Sequence, residues 1–290
     1  MRKYIFLLFL SLLALNSFAQ NNWEIKPSNQ CENRWVAYSK GDDISIIGFL
    51  YMDIDRGLVL NHVGGAKKGE GGKFTLKKET KKEAIFNVNG LTNVYLIPDE
   101  VLVELGLPKT PKWLETYQRM GAHEIRGQYY WGRSYYRNGM YEKALSFFKK
   151  VESQDPNYKI VQGYLALIYL NLKKYSEALP CAKQYYASYP NDCFAMSVLG
   201  RAEARNFETT KAVEMYNTMI EKCTSKRDVL KQQLAADISF AFLKNKDQES
   251  YNHWKKIALN YKAKNDLVQD NLESYFKKVD SNMDKIMQVE

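Results

Sequence analysis

The sequence predicts an α+β protein: a β-rich N-terminal module, then an all-α helical array closed by a C-terminal capping helix. Three observations predict this. Apolar residues alternate with period two from Asn33 to about Pro98, a self-similarity of 34 residues begins near Ile125, and one apolar stripe at helical spacing runs over Asp266–Met287.

The first element is a targeting segment. Arg2 and Lys3 precede an apolar run from Ile5 to Leu15, followed by Ser17, Phe18, Ala19 and Gln20. A run of this length falls well short of the roughly 20 residues a membrane-spanning helix needs, and the small residues Ser17 and Ala19 occupy both specificity positions of the expected cleavage site after Ala19. The expected product is an exported chain, periplasmic, outer-envelope or secreted, with no transmembrane segment after cleavage. Cys31 lies too far beyond Ala19 to carry a lipid anchor. Of 42 Lys and Arg, two leave with the first 19 residues, so the mature chain holds a formal +7 against 33 Asp and Glu. A chain of 290 residues is long enough for one or two domains with real cores, which excludes a purely disordered protein.

The β-rich half reads as strands at Arg34–Ser39, Ile44–Met52, Leu58–His62, Lys73–Lys77, Ala84–Val88 and Asn93–Ile97. Asp, Asn and Gly clusters separate them, and these residues favour turns because they tolerate or stabilise turn backbone. A sheet or small barrel of about five to six strands is expected. The segment Glu100–Met120, with Pro108 and Pro111, reads as a hinge into helical sequence. The expected limits are a signal peptide at 1–19, the β-rich module at 20–110, the repeat array at 111–224, and a diverged helix pair with its cap at 225–290.

The repeat is legible residue by residue. Tyr135 recurs as Tyr169, Ala144 as Ala178 and Ala212, and Pro156 as Pro190, while Gly132, Ala166 and Gly200 occupy one repeat position. Small residues suit places where antiparallel helices approach closely, the tyrosines suit the groove between them, and the prolines end the second helices. From Trp131 to Pro156 one unit reads helix, a turn at Asn138-Gly139, helix and proline stop. This resembles the tetratricopeptide-repeat (TPR) family over about Ile125–Thr224. The third unit is degenerate, with Glu203 at the tyrosine position and Thr224 at the proline position. Arg227–Lys244 and Gln248–Lys262 read as a further helix pair.

The resemblance implies that the first helices of the units line a concave face that holds a peptide or partner helix. Placed on this chain, that face carries Arg126, Tyr129, Arg133, Tyr136 and Arg137 in the first unit. Leu167, Leu170 and Asn171 follow in the second, and Phe194, Arg201 and Arg205 in the third. Five arginines beside tyrosines suit an acidic or carboxylate-bearing segment, because guanidinium pairs bidentately with carboxylate. The lysine and asparagine clamp of the chaperone-binding members is not matched: Tyr129, Arg133, Tyr164, Phe194 and Val198 stand at its positions.

No catalytic constellation is apparent. His62, His123 and His253 are widely separated, no GxSxG is present, and the glycine-rich stretch Gly64–Gly72 fits no phosphate-loop register. No cofactor, metal or nucleic acid is therefore expected, and the chain reads as non-catalytic. Cys193 begins one predicted helix and Cys223 ends its antiparallel partner, so a Cys193–Cys223 disulfide is expected in an oxidising compartment. The expected function is an exported adaptor or assembly protein holding a peptide or partner segment. Two alternatives are an enzyme with its site in the β-rich module, and a surface protein contacting membrane or glycan through Lys67, Lys68, Lys73, Lys77, Lys78, Lys81 and Lys82.

Overall fold

The computed structural model describes residues 23–39, 41–78, 84–119, 123–158, 160–224, 228–261 and 266–288. The expected signal peptide at 1–19 lies outside them, as do Lys81 and Lys82. Contacts divide the chain into two compact units, residues 1–140 and 141–290.

The first unit is built on a curled antiparallel sheet of β1 (Ile25–Pro27), β2 (Arg34–Ala37), β3 (Asp43–Asp53), β4 (Gly57–Lys68), β5 (Phe74–Lys78), β6 (Ala84–Asn87) and β7 (Asn93–Leu96). The strand order is β1-β7-β2-β3-β4-β5, with β6 also pairing β4. Alternation in β3 sends Ile47, Phe49 and Tyr51 into the core, and the register shift between Ile44 and Ile47 brings Ile44 to the same side, where they meet Trp35, Val59 and Phe74. A Cβ on Gly48 would lie 2.7 Å from the Asn61 carbonyl oxygen, so the β3–β4 pair leaves no space for a side chain there. Two features depart from expectation. β4 runs on past the expected end at His62 through Gly64-Gly65 to Lys68, because β5 pairs with that half of it. The short strand β1 pairs with β7 and brings the sheet to seven strands.

The segment expected to be a hinge is instead part of this unit's core. Helix α1 (Asp99–Glu104) buries Val101 and Leu102, and α2 (Trp113–Arg119) buries Leu114 against the sheet residues. The Trp35 indole N–H donates to the Pro108 carbonyl at 2.8 Å, and the Phe74 amide donates to Glu104 at 2.9 Å. Edge-to-face ring contacts lead from Phe49 and Tyr51 to Trp113 and Tyr117, and from Tyr117 to Trp131 on α3 (Ile125–Arg137). The Tyr117 hydroxyl donates to Asp53 at 2.6 Å, the Ser134 hydroxyl to the Asp53 carbonyl at 3.0 Å, and the Tyr135 hydroxyl to Glu32 at 2.7 Å. One face of α3 is thus bound to the sheet. Composition changes near Pro111, but contacts break only after Met140.

The second unit contains α4 (Tyr141–Gln154), α5 (Val161–Asn171), α6 (Tyr175–Ser188), α7 (Cys193–Arg205), α8 (Thr209–Lys222), α9 (Asp228–Lys244), α10 (Gln248–Asn260), α11 (Asp266–Asp280) and α12 (Met283–Gln288). Ala144, Ala166, Ala178 and Ala212 are fully buried at the repeat positions. Phe148 stacks on Tyr164 with ring centroids 4.7 Å apart. A Cβ on Gly200 would sit 2.8 Å from the Leu234 side chain and 3.1 Å from Met215, so the small-residue requirement there is steric. Cys193 and Cys223 form a disulfide with their Cα atoms 5.9 Å apart. The single capping helix expected over Asp266–Met287 is two helices, broken at Ser281-Asn282. Phe276 and Val279 still join the core of α9 and α10.

Two outcomes check this packing by denaturant unfolding of the mature protein. Replacing Cys193 and Cys223 by alanine should cost about 3–4 kcal/mol through the freed loop entropy of the unfolded chain. The Gly200→Val variant should lose about 1–3 kcal/mol by overpacking against Leu234.

Candidate functional site

In the second unit residues of α5, α6, α7, α9 and α11 surround a recess of about 410 Å³. It is lined by Leu170, Asn171, Lys173, Tyr175, Arg201, Arg205, Asp237, Phe240 and Tyr275. Its chemistry follows from helix geometry. Arg201 and Arg205 stand four residues apart on α7 and so share a face, which brings both guanidiniums to one carboxylate. Arg201 Nε donates to Asp237 Oδ2 at 2.8 Å, and Arg205 donates to Asp237 Oδ1 through Nε at 2.9 Å and through Nη2. The Arg205 guanidinium also lies 5.0 Å from the Phe240 ring and 6.0 Å from Tyr175.

Asp237 is almost wholly enclosed, with 7% of its side chain exposed, against 24% for Arg201 and 22% for Arg205. Burial works to raise its carboxyl pKa, but the two guanidiniums outweigh burial and hold it below the ordinary value. The Tyr275 hydroxyl is pushed up, first by burial, with Asp237 adding to the shift and Arg205 opposing it. Tyr175 is positioned through its backbone, because the Asn206 side chain donates to its carbonyl at 2.8 Å.

The residues expected on one concave face fall in both compact units. Asn171, Arg201 and Arg205 line the cavity of the second unit, whereas Arg126, Tyr129, Arg133, Tyr136 and Arg137 lie on α3 in the first. Tyr129 is buried rather than presented to solvent. Arg126 and Arg137 are exposed and Arg133 half-buried, its guanidinium 5.6 Å from the Tyr130 ring and 6.0 Å from Tyr129. Arg201 and Arg205 are not unpaired cations, as the sequence pattern alone suggests, since Asp237 takes hydrogen bonds from both.

Sequence reasoning missed Lys173, Tyr175, Asp237, Phe240 and Tyr275. Asp237 carries a usable signal: it is the lone acid in the apolar run Leu234–Leu243, where an unpaired charge would be too costly to bury. Tyr275 carries none, because its approach to α7 depends on how α11 folds back.

A second buried acid lies outside the cavity. Glu203, at the third unit's tyrosine position, is buried, and its Oε2 has no hydrogen-bond partner among the described residues. Burial pushes its carboxyl up to about 7, with Glu208 and Glu214 adding to the shift and Lys211 and Lys183 opposing it. No cluster of metal-ligating side chains occurs among the described residues.

Stacked antiparallel helix pairs with small residues at their crossings define a helical-repeat fold. Residues 125–158 match the family model of the tetratricopeptide repeat, so this segment of the chain carries such a repeat. Among solved structures it is similar to MamA from Desulfovibrio magneticus RS-1, at 20% identity and a TM-score of 0.41, over 51% of this chain and 80% of that one. It is also similar to YrrB, described as a TPR protein with an unusual peptide-binding site. That match has 15% identity and a TM-score of 0.43, over 57% of this chain and 79% of that one. Comparison with curated proteins found no match.

The Glu203 carboxyl gives a pH prediction. The folded state holds this proton to about pH 7 and the unfolded state releases it near 4.5, so its contribution to stability falls as pH rises between these values. Relative to Glu203→Gln, the wild-type protein should lose about 1–3 kcal/mol between pH 4.5 and 8. Parallel urea titrations of both proteins at the two pH values measure the difference.

Proposed function

We propose that this protein is an exported, non-catalytic adaptor or assembly protein that holds a segment of a partner protein against α5, α7 and α9. The observation that carries the reading is the cavity at Arg201 and Arg205, an aromatic-walled recess with more cation than anion in its lining. A partner segment bearing a carboxylate meets three needs there. Its charge balances the excess guanidinium, its planar group matches the guanidinium fork, and its apolar body covers Tyr175, Phe240 and Tyr275. Among the described residues no helix is long and apolar enough to cross a membrane. The basic and apolar N-terminal segment supports an envelope location, and a disulfide at Cys193 and Cys223 suits an oxidising compartment.

The lysine-rich region supports the alternative of an anionic surface less well. Lys77 is paired with Asp43 and Lys68 lies over Phe74, while Lys67 and Lys73 are exposed cations of the ordinary solvated kind.

Two measurements test the proposal. N-terminal sequencing of protein recovered from the producing cell's envelope or medium should begin at Gln20. A photo-crosslinking amino acid at Asn171 should capture a defined partner protein, and the adduct should disappear in an Arg201→Ala/Arg205→Ala variant that keeps its helix content. An adduct that persists in this variant moves the search to the β-rich module.

A further inference from the structure

The charges around the cavity do not balance, and the imbalance is specific. Two guanidiniums face one carboxylate, leaving a single positive charge beside an enclosed Asp237, on arginines whose side chains are about a quarter exposed to the recess. Lys173, the remaining cation of the lining, is exposed at the rim, where solvent and salt screen it. Each guanidinium has five N–H groups; Asp237 takes one from Arg201 and two from Arg205, Gln233 takes a further one from Arg201 and Tyr275 one from Arg205, so both retain donors for a ligand. The remaining walls are the apolar or aromatic side chains of Leu170, Tyr175, Phe240 and Tyr275, with the Asn171 amide beside them.

We propose that Asp237 is a positioning residue that sets the valence of the ligand, so that the pocket takes one carboxylate on an apolar or aromatic body in preference to a dianion. This rests on the cavity being the anchor of the partner segment, as proposed above. A monoanion neutralises the single excess charge. A phosphate dianion brings a second negative charge toward the buried Asp237 carboxylate, and like charges held close in a low dielectric repel strongly. Asp237 also orients both guanidiniums. Its Oδ2 holds Arg201 and its Oδ1 holds Arg205, while Phe240 and Tyr175 confine the Arg205 plane. The carboxylate can come from a chain's C-terminus or from an acidic side chain, and both carry the charge the pocket requires.

The test uses the purified mature protein at pH 8 and three probes: N-acetylphenylalanine, N-acetylglutamic acid α-amide and phenyl phosphate. The first offers a terminal carboxylate, the second a side-chain carboxylate and the third a dianion. Calorimetry or NMR titration should rank at least one carboxylate probe above phenyl phosphate in the wild type, and its identity distinguishes the two sources. Asp237→Asn should shift that preference toward phenyl phosphate by about tenfold or more, since a unit of repulsion is gone. Asp237→Glu should restore the wild-type ranking, which a merely structural role for Asp237 would not require. The Arg201→Gln/Arg205→Gln variant should bind none of the probes.

The inference is overturned if wild type prefers phenyl phosphate, if it binds no probe, or if Asp237→Asn leaves the ranking unchanged. Should Asp237→Asn fail to fold, the wild-type ranking and the Asp237→Glu variant decide the matter. Partner crosslinking at Asn171 reports separately. If it depends on Arg201 and Arg205 while the probe ranking fails, the adaptor reading stands and the role given to Asp237 falls. If crosslinking and probe binding are both absent, both readings fall.

Discussion

Helix α9 is buried on nearly all sides, and the second unit depends on how the polar groups of that helix are accommodated. A helix in this position packs against several neighbours at once, here α7, α8 and α10, and any polar side chain on it must find its partner inside the protein. Lys231 donates to the Cys223 carbonyl at 2.9 Å, and so serves the end of α8. Gln232 donates to the carbonyls of Ala258 and Tyr261, both at 3.2 Å, and serves the end of α10. Asp237 receives Arg201 and Arg205 from α7. Polar groups that would weaken a buried helix thus tie it to each of its neighbours.

The same requirement produces the candidate site. An isolated buried carboxylate is prohibitive, one guanidinium would neutralise it, and two leave a residual charge that a ligand can use. Because Arg205 is further confined by Phe240 and Tyr175, the cations are already ordered before anything binds, which lowers the entropic cost of recognition. Stability and binding draw on one set of side chains here. Altering Asp237 therefore changes both, and only a ranking of ligands separates the two effects.

The first unit solves a different problem. A sheet with one apolar face needs a cover, and the chain supplies it from the proline-marked segment after β7 and from α3. Trp113, Tyr117 and Trp131 fill the space, and their polar neighbours Asp53, Ser134 and Glu32 are satisfied across sheet and helix. Prolines at 108 and 111 mark turns between helices there, so a composition that suggests a linker belongs to a packed layer. Of the arginine-rich pattern on α3, Arg126 and Arg137 remain exposed, while Tyr129 is enclosed.

By itself the sequence determined what depends on local period and on neighbours at regular spacing. Six strand positions, the helical units with small residues at Ala166 and Gly200, and the proximity of Cys193 to Cys223 all follow from such rules. They are legible because a two-residue alternation or a 34-residue repeat leaves its mark on consecutive residues. Arg201 and Arg205 were legible as a pair on one face for the same reason. Only the tertiary structure decided that β4 continues through Gly64-Gly65, that residues 99–119 cover the sheet, and that Asp237, Phe240 and Tyr275 close the recess around those arginines. Each depends on contacts between segments distant in the chain, and no local period encodes which distant segment arrives.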